Sequence, residues 1–538
     1  MIPKKDESKL RAWDRALLAE FEQQYPRSKR RVRWQNPQLE SLVRARGVGR
    51  KAFKALEKTL EAKGAFDMMF EKQRWVDSDG KRYVHTLVRA SSTEMWPMGA
   101  QYWLRDNVVI GARLLSNQSA KRRAVGKQLL LSGLHFISSC AQLKRFEMMV
   151  RSRSVAFRRS PDNWPHIFTS VSDNLSTQRQ ESWSHKQDAW QMLAWHVLEA
   201  LEAKQIRLSE LTAKHRAFLG LIVPFLAKVS FWRCENSGSW EEIPAVKSSV
   251  RAWEHRLVVR LAELGEQRQF NFLNRAFLRY RAQLGARFKE NTLQEAVAQL
   301  DRECTKAMLS DLPSESPGYE SHDPRYRAAD AALLYLLQLD YPEFLAKRAA
   351  KSQRWARSLE AALLREVGRL QDDRSGGIAR YAGDTYQRSG FFRNLTVARL
   401  RALYGAPAGD ASRNFAKRDE VVPQGRAAAW THFVWQLASW AGTRFLATRS
   451  LRYKRLHERF FVAGLRLISG DSYTFDADAS SGRTKVLAIP AWRMPEAYIS
   501  DTNARREELV FPSPHTPLNW SIAEMVYACE VRRRIHAL

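Results

Sequence analysis

Apolar positions along the chain recur with helical spacing almost throughout. Trp190, Leu193, Ala194, Val197, Leu198 and Leu201 fall at i, i+3, i+4, i+7, i+8 and i+11, which puts them on one face of an α-helix. Between Ala331 and Leu339 the apolar residues run nearly all round, so that helix belongs inside a multi-helix layer. Periodic stretches also cover 8–24, 50–63, 107–118, 124–150, 209–231, 246–265, 270–286, 291–309, 354–370, 390–403, 428–447 and 516–531. Strand signals are few. Phe70 to Val76 and Lys81 to Val88 flank Asp77-Ser-Asp-Gly80, and Tyr473 to Asp476 and Thr484 to Ile489 flank Ser480-Ser-Gly-Arg483. Each pair predicts a hairpin. Pro, Gly and Ser cluster at 310–324, 371–377 and 405–413, which read as loops between helices. The pattern predicts an all-α fold with short β-hairpins.

Composition narrows the class. With 44% hydrophobic and 11% aromatic residues, the 538-residue chain can bury a large core and is no disordered polycation. Its formal charge of +31 points first to a polyanion, nucleic acid included. No RNP, zinc-finger or helix-turn-helix motif supports nucleic acid, which is the weaker reading. Cys140, Cys234, Cys304 and Cys529 lack CxxC spacing, and the twelve histidines lack HExxH. Neither a metal nor a cofactor is therefore expected. The start of the chain lacks the apolar core of a secretory signal, and the densest apolar run, Leu219 to Trp232, is interrupted by Pro224, Lys228 and Ser230. These features and the scattered thiols predict a cytoplasmic protein.

The charge is unevenly spread. From Arg113 to Arg159 eleven Lys and Arg face the single acid Glu147, and from Arg444 to Arg466 seven face one acid. The basic run Arg27-Ser-Lys-Arg-Arg-Val-Arg33 joins two helical patterns near the start. Residues 1–66 therefore read as a basic helical N-terminal extension, and 67–538 as the main domain. A surface of this kind is either a solvated exterior or a docking face for an anionic glycan, a membrane surface or an acidic protein.

Acids, arginines and tryptophans recur where helices begin. Tyr102-Trp-Leu-Arg-Asp106, Gln187-Asp188-Ala-Trp190, Trp240-Glu-Glu242, Gly376-Gly-Ile-Ala-Arg-Tyr-Ala-Gly-Asp384, Trp430, Met494-Pro-Glu-Ala-Tyr498 and Thr516-Pro-Leu-Asn-Trp520 follow one another along the chain. Helices packed in a closed ring bring their starts together at one end. The result is a funnel lined by Trp, Arg and carboxylate. Pyranose faces stack on indoles, and hydroxyls bond to Arg and Asp. Glycosidic cleavage needs two carboxyls in opposite protonation states.

In that order the motifs resemble the glucoamylase-like glycoside hydrolases, from about Trp103 to Trp520. Trp103-Leu-Arg-Asp106 is similar to the family's W-x-R-D, Arg380-Tyr-Ala-Gly-Asp384 to its G-R-Y-P-E-D, and Trp240-Glu-Glu242 to its W-E-E. Pro495-Glu-Ala-Tyr498 is similar to the loop carrying the general base. The resemblance implies an (α/α)6 toroid of about twelve helices and an inverting enzyme acting on an α-glucoside or related glycan. It implies Glu241 as general acid and Glu496 as general base. It assigns sugar binding to Trp103, Arg105, Asp106, Gln187, Asp188, Trp240, Glu242, Arg380, Tyr381, Asp384, Trp430 and Trp520. His185-Lys-Gln-Asp-Ala-Trp-Gln191 is also similar to the large regulatory subunits of phosphorylase kinase, where the toroid is regulatory. The alternative is thus a catalytically silent toroid that binds glycan or protein, and a third reading is a polyanion-binding protein. After Trp240-Glu-Glu242 the chain departs from the family with Ile-Pro-Ala-Val, and the segment between Asp384 and Trp430 is long, which bears on the outer subsites.

Overall fold

A computed structural model describes residues 32–76, 80, 82–91, 101–160, 163–165, 168–170, 188–240, 244–289, 291–323, 325–384, 426–470, 473–476, 486–502, 508–513 and 515–538. The stretches at 8–24, 390–403 and 405–413 lie outside them.

Helices alternate between an outer and an inner layer. After α1 (Pro37–Arg46), outer α2 (Arg50–Ala62) leads to inner α3 (Leu104–Leu115). Outer α4 (Ala120–Ile137) leads through α5 (Cys140–Arg151) and α6 (Val155–Arg159) to inner α7 (Asp188–Glu202). Outer α8 (Ala213–Val229) leads to inner α9 (Ser248–Gly265). Then α10 (Phe272–Tyr280) and outer α11 (Leu293–Asp311) precede the short inner α12 (Leu334–Gln338). A further pair, α13 (Tyr341–Arg348) and outer α14 (Gln353–Gly368), precedes inner α15 (His432–Thr448). Outer α16 (Leu451–Arg466) leads to inner α17 (Asn519–His536).

The inner helices close a ring. Helix α3 packs on α7, α7 on α9, α9 on α12, α12 on α15, α15 on α17, and α17 back on α3. Around them α4 backs α3, α11 backs α9, α14 backs α12 and α16 backs α15. Helix α8 backs α7 through Phe218 and Phe225, both edge-to-face with Trp190. Helix α2 backs α17, where Glu57 pairs with Arg533 at 2.9 Å and Phe53 meets His536. This is the (α/α)6 toroid. Residues 50–62 supply its sixth outer helix, and Phe53, Leu56 and Leu60 are buried in the one core they share with the ring. They complete the toroid rather than extend it.

The sequence explains which helix goes where. Inner α15, His432-Phe-Val-Trp-Gln-Leu-Ala-Ser-Trp-Ala-Gly442, is buried along that whole run, so it must be covered on every side. Outer α14 and α16 keep a charged face for solvent. Outer α11 begins with a capping box, in which Thr292 and Glu295 satisfy each other's backbone N–H. The apolar stretch 124–150 is two helices, because Ser138 and Ser139 end α4 and restart the chain as α5. Among the described residues no helix is long and apolar enough to cross a membrane.

The small sheets sit between helices. β1 (Phe70–Val76) and β2 (Arg82–Val88) form the first expected hairpin, with Val76 opposite Arg82. β3 (Gln101–Trp103) pairs with β4 (Phe168–Ser170). β5 (Ala429–Trp430) joins a sheet described below. β6 (Tyr473–Asp476) and β7 (Val486–Ile489) form the second expected hairpin. β8 (Ala497–Thr502) pairs with both β5 and β9 (Glu508–Pro512), which places Ala497 opposite Trp430.

Helices α3 and α4 meet backbone to backbone. A Cβ on Gly126 would lie 2.5 Å from the Leu115 nitrogen and 2.6 Å from the Gly111 oxygen. Backbone atoms cannot move aside as side chains do. Gly126→Ala is expected to destabilise the protein by ~1–3 kcal/mol, read as a lower urea midpoint at unchanged slope. An unchanged midpoint would contradict this packing.

Candidate functional site

The inner helices meet at one end of the ring through their first residues or the segments that lead into them. Arg105, in the first turn of α3, pairs with Asp188, the first residue of α7, at 3.0 Å. Asp188 Oδ2 also faces Ser239 Oγ at 3.5 Å, and the next residue, Trp240, precedes α9. The Trp240 indole donates from Nε1 to Asp330 Oδ1 at 2.8 Å, just ahead of α12. Trp240 also meets Phe433 of α15 edge-to-face at 5.5 Å. His432, the first residue of α15, stacks on Trp520 of α17 at 4.7 Å. Trp520 lies 5.8 Å from the Arg105 guanidinium, which closes the circuit.

Each of these side chains is held by its local backbone. Trp103 is the extended N-cap of α3, and its carbonyl accepts from Asn107 Nδ2 at 3.1 Å. Asn107 also bonds the Val88 carbonyl and N–H, which ties the first turn of α3 to β2. Arg105 and Asp106 are consequently buried at the ring mouth. Carboxylates at the first turns of α3 and α7 meet the positive ends of those helices.

A second cluster surrounds Arg380. Its guanidinium binds Asp384 through two bonds of 2.7 Å and lies 5.4 Å from the Trp430 ring, 5.6 Å from Tyr381 and 5.7 Å from Trp240. Such a cation is both paired and sandwiched by aromatic faces. Trp430 is fixed by two backbone bonds to Ile378. They need the chain to approach closely, and a Cβ on Gly377 would lie 2.8 Å from the Ala429 oxygen. Thr431 N donates to the Glu496 carbonyl at 3.1 Å, and Thr431 Oγ1 donates to the Pro495 carbonyl. The Glu496 loop is thus stitched beside Trp430, with the residue itself half-buried.

Below the mouth the ring axis is polar. Gln191 of α7 donates to Glu254 of α9 at 2.7 Å, and Gln436 of α15 donates to Glu524 of α17 at 3.4 Å. Burial pushes the Glu254 carboxyl well up from its ordinary value. Burial, with Arg105 adding to it, pushes His432 down to about 3, so this imidazole stays neutral in the stack.

The circuit and its two clusters thus unite Arg105, Asp188, Trp240, Arg380, Tyr381, Asp384, Trp430 and Trp520. Trp103 and Asp106 flank Arg105, and Glu496 adjoins through its backbone. Gln187, Glu241 and Glu242 lie outside the described residues. The sequence reading did not single out Asp330, His432, Ser239 or the Gln191–Glu254 pair. Asp330 carried a signal, an Asp just before an apolar run, which is the mark of an N-cap. Glu254 sits mid-helix and carried none. Among the described residues no group of His, Cys, Asp and Glu is arranged to hold a metal ion.

No protein-family model matches the chain, and no curated protein does. Similar solved structures include a wild-type glycosidase, 14% identical, spanning 83% of this chain and 92% of its own, at TM-score 0.48. They also include the glycoside hydrolase family 15 glucoamylase from Hypocrea jecorina, 12% identical over 84% of this chain and 67% of its own, at TM-score 0.46. The Hormoconis resinae glucoamylase is 11% identical over 89% and 73%, at TM-score 0.47.

The neutral His432 has a stability consequence. Its folded pKa lies below its unfolded one, so the unfolded chain binds the extra proton, and stability is lost as pH falls from about 6.5 toward 3. His432→Phe is expected to flatten that loss by up to roughly 1.4 kcal/mol per pH unit. Urea unfolding at pH 4 to 7 reads it, and an identical pH slope in the variant refutes it.

Proposed function

We propose that this protein is an inverting glycoside hydrolase of the glucoamylase-like kind, acting on an α-glucoside or related glycan. The observation that carries the reading is the mouth circuit itself. Inner-helix starts and the loops leading into them bring two buried Arg–Asp pairs and three indoles together, and the Glu496 loop lies beside one of those indoles. Indole faces take the apolar faces of a pyranose, and Arg with Asp takes its hydroxyls.

In this reading Glu241, next in the chain to Trp240, is the general acid that protonates the leaving oxygen. A general acid must keep its proton at working pH, which a like charge next to it, such as Glu242, favours. Glu496 stays ionised and draws a proton from water on the opposite face, across a carboxyl separation of about 6.5–9.5 Å. Arg105, Asp106 and Arg380 grip the reacting sugar. Gln187, Asp188, Glu242, Tyr381 and Asp384 line the pocket. Trp103, Trp240, Trp430 and Trp520 stack on sugar faces.

Product stereochemistry tests it. Anomer-resolved NMR is expected to show inversion, and Glu241→Gln and Glu496→Gln each to lower turnover by at least about 1,000-fold at unchanged melting temperature. Near-native rates in either variant overturn the assignment. A wild-type protein that binds glycans but cleaves none marks a silent binding toroid instead.

The exterior charge extends the reading to an anionic glycan as partner. Arg153, Arg158 and Lys228 crowd together, and among the described residues none pairs with a carboxylate. Partial burial, then Arg158 and Arg153, pushes the Lys228 amine down. Replacing all three by Ala is expected to weaken binding to a sulfated polysaccharide about tenfold at low salt and to flatten its salt dependence. Equal affinity and equal salt slope for DNA and anionic vesicles would instead mark non-specific charge.

A further inference from the structure

Behind Trp240 lies a buried polar cluster whose groups the reading above gives no role in the chemistry. Asp330 Oδ1 accepts both from the Trp240 indole and from Ala332 N, each at 2.8 Å. Asp330 is almost fully buried, and its Oδ2 has no hydrogen-bond partner among the described residues. Around it, Lys247 Nζ donates to Ser316 Oγ at 3.2 Å, and Glu315 accepts from Ser249 N at 2.9 Å and Ser249 Oγ at 2.6 Å. The charged groups facing Asp330 are the cations Lys247 and Arg327 and the carboxyl of Glu315. Burial pushes both carboxyls up, Glu315 further because Asp330 lies beside it, while Lys247 draws both back down.

The backbone around Asp330 is fixed from the opposite side. Ala331 N donates to the Arg380 carbonyl at 2.7 Å, and Ala382 N to the Ala329 carbonyl at 3.0 Å. Trp240 itself belongs to a loop closed at its base, where Asn236 and Ala245 exchange bonds of 2.9 and 3.0 Å. Asp330 therefore joins three pieces: the loop presenting Trp240, the loop presenting Arg380, and the start of α12.

We infer that Asp330 is a positioning residue that fixes the Trp240 indole against the Arg380 loop. For its catalytic consequence the inference rests on the glycosidase reading; for the placement of Trp240 it does not. A buried carboxylate is the strong acceptor an indole N–H can find away from water. Without it the donor is left unmet, and the ring can turn between Phe433 and Arg380 while remaining buried. A general acid attached to a turning neighbour loses its aim, and a misplacement of about 1 Å can lower a rate 100-fold.

Two readouts on the full chain test this. The first is the Trp240 indole N–H signal in protein carrying 15N-labelled tryptophan, assigned by its absence in Trp240→Phe. Asp330→Ala is expected to shift that signal and speed its hydrogen exchange at least about tenfold, and Asp330→Asn, which keeps an oxygen acceptor, to restore most of the protection. An unmoved signal in Asp330→Ala overturns the inference. The second is turnover. Asp330→Ala is expected to lower kcat about 30- to 100-fold with KM changed less than about threefold, and the Asp330→Ala/Trp240→Phe double variant to be no slower than Trp240→Phe alone. Fully additive losses overturn the positioning role. If the wild-type protein cleaves no glycoside, the catalytic reading fails and the indole signal alone decides whether Asp330 places Trp240.

Discussion

A ring of six helices exists only if the last closes on the first, and here that seam is a buried ion pair. Arg113 of α3 and Glu524 of α17, 411 positions apart, meet at 3.0 Å with the Glu524 side chain wholly buried. A buried carboxylate is costly unless its oxygens are occupied. Glu524 meets that condition with one oxygen on Arg113 and the other on Gln436 of α15, so a single acid ties three inner helices. The same seam holds Asn519, whose side chain donates to the Arg89 carbonyl at 2.7 Å, and Arg533, which pairs with Glu57 of α2. Closure is therefore non-local at every level. Chains of this kind pay loop-closure entropy before their long-range contacts form, and fold more slowly than bundles of neighbouring helices.

Closure also dictates where chemistry can sit. Alternating outer and inner helices force every inner start to the same end. First-turn N–H groups, which have no partner within their own helix, then lie toward that end and favour carboxylates there. Asp106, Asp188 and Asp330 occupy three of those starts, and Arg105 and Arg380 balance the acids around them. Indoles fill the space between because they bury area and still leave an edge for a hydrogen bond. A mouth of charge and aromatic faces thus follows from ring geometry, and the sequence decides only which side chains line it.

Much of this was legible before any coordinates. Period-3.6 patterning located most of the helices, and turn residues located both hairpins, because those signals are local. The ordered Trp, Arg and acid motifs located the mouth, because a helix start is also a local signal. What escaped depended on distant partners. The break between α4 and α5 rests on two serines inside an unbroken apolar rhythm. The apolar stretch 331–339 forms only a 3-10 turn and the five-residue α12, since Asp330 and the Arg380 loop pin its start. Helix α16 hid behind its basic residues, of which Arg452 sets its guanidinium over Tyr453 and pairs with Glu360 of α14 rather than marking a loop. Glu254 and Asp330 matter only through residues 63 and 90 positions away.

The same interior accounts for the charge. Among the described residues nine acids and seven bases are buried, so the inside is close to neutral. The positive excess carried by the described residues then lies on the outside. A mouth whose own charges are paired does not call for such a surface, and folding is not helped by self-repulsion. The cost is borne by the exterior alone, on faces such as that of Arg153, Arg158 and Lys228 where no carboxylate answers it. A field of one sign around a mouth whose own charges are paired acts at long range on what approaches, not on what is held.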